Sequence, residues 1–368
     1  PGPLSAAVKL GAMSTPDFPM GRGKRRLALA NWIVDAQNPL AARVIVNRVW
    51  RWHFGKGIAS NPNNLGATGG NPTHPALLDH LADWFMANDW SIKKLNLLIL
   101  TSSAYRRSSR HPNLASVDEA DPKREFYSTF LSRRLTAEEL RDAMLFVSGE
   151  LNRQVGGIPC RPDINLEVAM QPRQIMGGTA SVYEPDSLPA ARNRRSLYAE
   201  KIRGLRDPFL ETFNQPGPDK SCEARETSTI APQALTLMNS SEVHDRALAF
   251  AARLMKIDAS DEVRLKQAFE LAFGRAPSTE EATACMLHWD SAAREEEGKQ
   301  YQPREFASQT VRTVMAEKTG EPYDFVERMP AYDGYVPDLQ PSQTDARTRG
   351  LAHLCLVIFN LNEFAYLD

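Results

Sequence analysis

Cysteine is scarce in this chain, with only Cys160, Cys222, Cys285 and Cys355 among 368 residues. They lie far apart and form no CxxC, so the sequence signatures of a zinc site and of attached haem are both missing. One or two disulfides remain open. Net charge is missing too. Lys and Arg number 44 against 45 Asp and Glu, a formal charge of -1. A domain built to hold nucleic acid is normally strongly basic, so that partner is not expected. No apolar run is long enough for a membrane span. Residues 1–24 have no basic stretch leading into an apolar one, so they do not read as a signal peptide. Their prolines and glycines read as a linker, or as the cut end of a longer protein. The ordered signatures GxxxxGK[ST], HExxH and GxSxG are absent as well.

What is present is arginine and helical pattern. Of the 44 basic residues, 32 are Arg and 12 are Lys. Guanidinium forks pair with carboxylates or with phosphate and sulfate oxygens. Apolar residues recur at helical spacing over 25–34. Asn38-Pro39 then marks a helix start, and the pattern runs to about Phe54, with Leu40, Val44, Asn47 and Trp50 or Arg51 on one face. Residues 58–74, rich in Asn, Gly and Pro, predict an irregular loop. Further helices are predicted from Pro75 to about Asn88, after Ser91, and after a Thr136/Glu139 capping box. Others are predicted over 232–256, 261–273, 278–297, 303–317 and 345–359. Residues 318–343 read as a loop, and short strands are expected at 180–183 and 196–199. The predicted fold is mainly α: one multi-helix globular bundle over 25–368, with few short strands and an irregular insertion over about 152–230.

Several stretches carry a family resemblance. They are NPLAARVIVNRVWRWHFGKGI at 38–58, HPALLDHLADWF at 74–85 and DWSIKKLNLLILTSSAYRRSS at 89–109. RRLTAEELRDAMLFVSGEL at 133–151, SCEARETSTIAPQALTLMNS at 221–240 and LVIFNLNEFAYLD at 356–368 continue it in order. Together they resemble the C-terminal domain of unknown function of planctomycete cytochrome C domain-containing proteins. The resemblance implies an exported module, at the periplasm or cell surface. It would follow a cytochrome-c-like domain and another uncharacterised domain, and act on or near polysaccharides. It implies no haem for this stretch and brings no catalytic residues with it.

Five polar constellations are candidates for chemistry. The first is Asn47, Arg48 and His74, with His53, around the 58–74 loop. Glycines there expose backbone N–H groups, Arg48 can fork onto an anion, and His74 can transfer a proton near neutral pH. A loop of that length between helices more often signals function. The second is His74, Asp79, His80 and Asp83, with the two aspartates on one helix face. The third is Glu138, Glu139, Arg141 and Asp142. The fourth is the polar run from Asp219 to Thr229, including Cys222 and Arg225. The fifth is Asn360, Asn362, Glu363 and Tyr366. Candidate catalytic residues are therefore His74, Asp79 and Glu139. Candidate ligand-binding residues are Asn47, Arg48, His74 and Arg225. No metal site is predicted, although loop carbonyls and carboxylates leave room for a weakly held calcium. Each group also has an ordinary structural use as a cap, an ion pair or a core contact.

Two functions follow. One is a binding or assembly module with a glycan ligand. The other is a hydrolase of ester, lactone or glycosidic bonds that uses His or carboxylate groups. A deep cleft holding His74 and a carboxylate would favour the enzyme, and a shallow aromatic surface would favour binding.

Overall fold

The computed structural model describes residues 21–35, 37–66, 68–171, 174–175, 178–179, 181–316 and 318–367. Most of the 1–24 linker prediction lies outside these. At its end the linker gives way to a helix, which starts at Arg22 and runs to Val34. The described residues hold fifteen α-helices, about 49% of the chain, and only short strands, so the fold is mainly α. The backbone groups into two compact units, one through Arg133 and one from Arg134 to Leu367.

The first unit is built on the helix Pro39–Phe54. The Asn38 side chain accepts a hydrogen bond from the Leu40 N–H at 3.0 Å, and Pro39 takes the first helical position. The helix packs against Pro75–Ala87 and Ile92–Leu100. Its buried face runs through Ala42, Val46, Val49, Trp50 and Phe54, while Leu40 and Val44 are only half-buried. The stripe is rotated from the predicted one because two neighbouring helices cover it. Trp84 and Trp90 pack onto this core, and Trp52 is exposed.

The second unit is held by the helices Ala137–Ser148, Ser241–Met255, Asp261–Phe273, Thr279–Glu296 and Ala346–Asn360. Their apolar faces form one cluster that includes Leu140, Met144, Phe250, Leu254, Trp289 and Phe359. The Thr136/Glu139 capping box forms as predicted, and Gly149 ends that helix in the left-handed conformation at φ 83°. The cysteines are free thiols.

Five secondary-structure expectations are corrected. The run predicted as one helix over 232–256 is two, Ala231–Asn239 and Ser241–Met255, broken at an extended Ser240 with ψ 129°. Serine satisfies the start of a new helix as readily as it continues an old one. The helix predicted over 303–317 is instead a strand, Gln309–Met315, so far as its residues are described. It pairs antiparallel with Pro322–Arg328, inside the predicted 318–343 loop, with Val311 opposite Val326. Both strands are rich in β-branched or aromatic residues, Thr310, Val311, Thr313 and Val314 in one and Tyr323, Phe325 and Val326 in the other, and that propensity outweighs the helix-start signal of Pro303. Ser196–Tyr198 is a 3-10 turn rather than a strand. Ala180 lies outside the described residues, and 181–183 form no strand.

Candidate functional site

Of the sequence-predicted residues of the first unit, Asn47, Arg48 and His74 meet the 58–74 loop, each at a different point. Asn47 is fully buried. Its Nδ2 donates to the Ala59 carbonyl at 2.9 Å, and its Oδ1 accepts from the Ala59 N–H at 2.8 Å. Both ends of its amide are consumed by backbone. Gly57 is required beside it, because a Cβ there would lie 2.9 Å from the Asn47 amide atoms and 2.6 Å from the Ala59 oxygen. Arg48 is exposed and donates to Asn63 Oδ1 at 2.6 Å. The His74 Nδ1 meets Thr73 Oγ1 at 3.0 Å, and its ring lies 5.6 Å from that of Tyr127. His53 bonds Asn96 at 2.9 Å, and Asp79 pairs with Arg43 at 2.6 Å.

In the second unit, Glu139 closes the capping box of its helix and Glu138 pairs with Arg225. The Asp142 carboxylate receives the Ser196 N–H at 2.7 Å and the Ser196 hydroxyl at 2.8 Å. Asn360 donates back to the Leu356 carbonyl at 2.8 Å, and Glu363 pairs with Arg275. Cys222 is exposed. Among the described residues, no group of three or more His, Cys, Asp or Glu is arranged to hold a metal. No helix there is long and apolar enough to cross a membrane.

The feature the sequence did not flag is a cavity of about 800 Å³ within the second unit. Three kinds of segment build it. The helices Ala137–Ser148 and Ser241–Met255 supply Arg141, Glu242, Asp245 and Arg246. The irregular 152–230 region supplies Asp163, Asn165 and Asp207. The chain flanking the hairpin supplies Arg304, Phe306, Tyr332, Tyr335 and Asp338. The break at Ser240 matters here, because it restarts the helix and puts Glu242 in a first turn that faces the cavity.

Arg141 is the organising cation. Its Nε lies 3.4 Å from Glu242 Oε1, and its terminal nitrogens donate to the Arg192 and Arg194 carbonyls, each at 3.1 Å. Asp207 caps the short helix Pro208–Thr212 by accepting from the Phe209 N–H at 2.9 Å. Burial raises the Asp207 carboxyl above the usual range, although Arg141 pulls against it. Glu242 goes further. Burial first, and then the negative charge of Asp207, push it up to about 7 against the pull of Arg141 and Arg246. Its side chain keeps 26% exposure because it faces the cavity.

Behind these two lies a buried ion network. Arg192 pairs with Asp163 at 2.8 Å and Asp338 at 3.1 Å, while Arg246 pairs with Glu150 at 2.6 Å and with Asp338. The Tyr335 hydroxyl donates to Asp163 at 2.8 Å. The Phe306 ring lies 4.6 Å from Tyr335 and stacks parallel to Tyr332 at 6.1 Å, making an aromatic wall.

This cavity contains carboxylates but not His74, so it is neither of the two arrangements anticipated from the sequence. Chemically it offers a carboxyl that holds its proton near neutral pH, a second carboxylate close enough to perturb it, and rings for an apolar face to stack on. The only hint in the sequence was Arg141 with its neighbouring carboxylates. Asp207, Glu242 and the Tyr332–Asp338 stretch carried no local signature.

No curated protein and no solved structure matches the chain. A family model does match, over residues 25–289, which include Arg141, Asp163, Asp207, Glu242 and Arg246 and stop short of the aromatic wall. The chain belongs to the PSD1 family of proteins of unknown function (DUF1553), the domain of planctomycete cytochrome-c-domain proteins that its motifs resemble.

Proposed function

We propose that the second unit binds a glycan in this cavity and hydrolyses a glycosidic bond there, as a module of a larger exported protein. The observation that carries the reading is Glu242, held protonated near neutral pH beside Asp207 in an open, aromatic-walled cavity. A glycosidase needs one carboxyl that donates a proton to the departing oxygen and another that acts from the ionised state. Glu242 fits the first role. Asp207 fits the second by taking a proton from the attacking water. Water oxygen bonds to the anomeric carbon, the glycosidic C–O bond breaks, and the leaving oxygen takes the Glu242 proton. The rings of Phe306 and Tyr332 suit the apolar face of a sugar.

Export and a cytochrome-c-like neighbour domain are part of the proposal, on the resemblance of the motifs alone, and the reading calls for no haem or zinc in this chain. A panel of polysaccharides and oligosaccharides, assayed for new reducing ends, tests the activity. Turnover of at least one member is expected, falling about 10²–10⁴-fold in Glu242→Gln, with Arg48→Ala unaffected. Binding without turnover, unchanged in Glu242→Gln, would leave a glycan-binding module in place of a hydrolase. Absence of both binding and turnover would overturn the reading.

A further inference from the structure

We infer that the glycan accepted by this cavity carries free amino groups and no sulfate or carboxylate substituents. The inference rests on the cavity being a glycan site, and it follows from the charges of the lining.

Six carboxyl groups face the space, and with Glu242 protonated five of them carry charge: Asp163, Asp207, Asp245, Glu305 and Asp338. Three guanidiniums face it, those of Arg141, Arg246 and Arg304. Adding Arg192, which backs Asp163 and Asp338, leaves five ionised carboxylates against four guanidiniums. The cations are also already engaged. Arg141 is spread over two carbonyls, the Ser196 hydroxyl and Glu242. Arg246 is clamped between Glu150 and Asp338, and its remaining Nε is enclosed by protein. Arg304 is paired with Asp245 at 2.7 Å.

An anionic sugar would therefore bring like charge into an acidic space whose guanidiniums already have partners within the chain. Like-charge juxtaposition of that kind is strongly disfavoured. An ammonium group would instead sit between carboxylates that have too few cations. The wall of Phe306 and Tyr332 adds to this, because aromatic faces attract cations. The prevalence of arginine in the sequence suggests sulfate or uronate recognition, but here the arginines serve as partners for the chain's own carboxylates.

The test is direct binding of three size-matched oligosaccharides to the intact protein: β-1,4-linked glucosamine, its N-acetylated counterpart, and a sulfated glycan. The amine-bearing oligomer is expected to bind at least ~10-fold tighter than the acetylated one, with the sulfated one weakest. In the double variant Asp207→Asn, Glu242→Gln, the preference for the amine over its acetylated counterpart should collapse while the acetylated oligomer still binds. Tightest binding of the sulfated or the acetylated oligomer would overturn the inference and leave the glycan reading standing. Failure of all three, and of the wider panel, would overturn the glycan reading itself.

Discussion

The guanidinium carbon of Arg192 lies 4.3 Å from the centroid of the Tyr335 ring, and the hydroxyl of that ring bonds the carboxylate that Arg192 also holds. Arg192, Tyr335 and Asp163 thus form a closed triangle under the cavity floor. Arg192 is fully buried, so removing its charge leaves Asp163 without its cation and Asp338 with Arg246 alone. Breaking one side of a buried ion pair costs about 3–5 kcal/mol. We expect Arg192→Met to lose that order of stability in urea unfolding. Tyr335→Phe, which removes one hydrogen bond and keeps the ring, should lose about 1–2 kcal/mol. Equal midpoints for wild type and Arg192→Met would show that the network does not hold the cavity.

Glu242 sets the pH response. Its folded carboxyl titrates at about 7, above the ordinary glutamate range of about 4.5. The folded state therefore binds its proton more tightly than the unfolded state does. The sign is that of a raised acid: no cost below about pH 4.5, a growing cost between there and about 7, and the full cost above. Glu242→Gln keeps the shape and removes the titration. It should match wild type at pH 4 and exceed it by about 1–3 kcal/mol at pH 8, with the difference opening between those values. A difference that does not change with pH would remove Glu242 as the source.

How much of this was legible in the sequence depends on the range of the interaction. Helix starts are local, so Asn38-Pro39, Ser91 and the Thr136/Glu139 box were all readable. The 309–315 strand was not, because Pro303 mimics a helix start and the strand's partner lies across a turn. The cavity was least legible of all. Arg141 and Glu242 are about a hundred residues apart, and neither has a motif around it. A carboxylate in a helical first turn reads as an ordinary dipole partner until the fold places a second carboxylate beside it. Asn47 shows the reverse case. An Asn beside an Arg near a glycine-rich loop looked like a ligand site, and its amide is used up by the Ala59 backbone.

That contrast is measurable. Asn47→Ala leaves the Ala59 N–H and carbonyl without partners in a buried place, and such groups cost about 1–3 kcal/mol. Arg48, exposed and donating to the exposed side chain of Asn63, should be replaceable by Ala within about 0.5 kcal/mol. Thermal unfolding of the two variants should therefore separate them clearly. Similar losses in both would mean that Arg48 holds the loop as firmly as Asn47 does.

The helices Thr279–Glu296 and Ala346–Asn360 meet where Gly350 faces Ala293. A Cβ built at Gly350 would lie 2.5 Å from the Ala293 nitrogen and 2.6 Å from its Cα, and both of those atoms are backbone. Backbone inside a packed helix cannot swing aside as a long side chain can, so the helices must move apart to admit a methyl group. On an exposed helix the same change would be favourable by about 0.5–1 kcal/mol, because glycine loses more freedom on folding. Here overpacking opposes it at about 1–3 kcal/mol, and that term wins. Separation would also disturb Trp289, which lies under the Arg347 guanidinium at 4.1 Å and donates to the Arg347 carbonyl at 3.0 Å. We expect Gly350→Ala to lower stability by about 1–3 kcal/mol and to change the near-ultraviolet signal of the buried tryptophan. Ala293→Gly should recover part of the loss, because the Ala293 Cβ lies 2.8 Å from the same point. A Gly350→Ala protein as stable as wild type would show that the two helices do not meet as closely as the backbone places them.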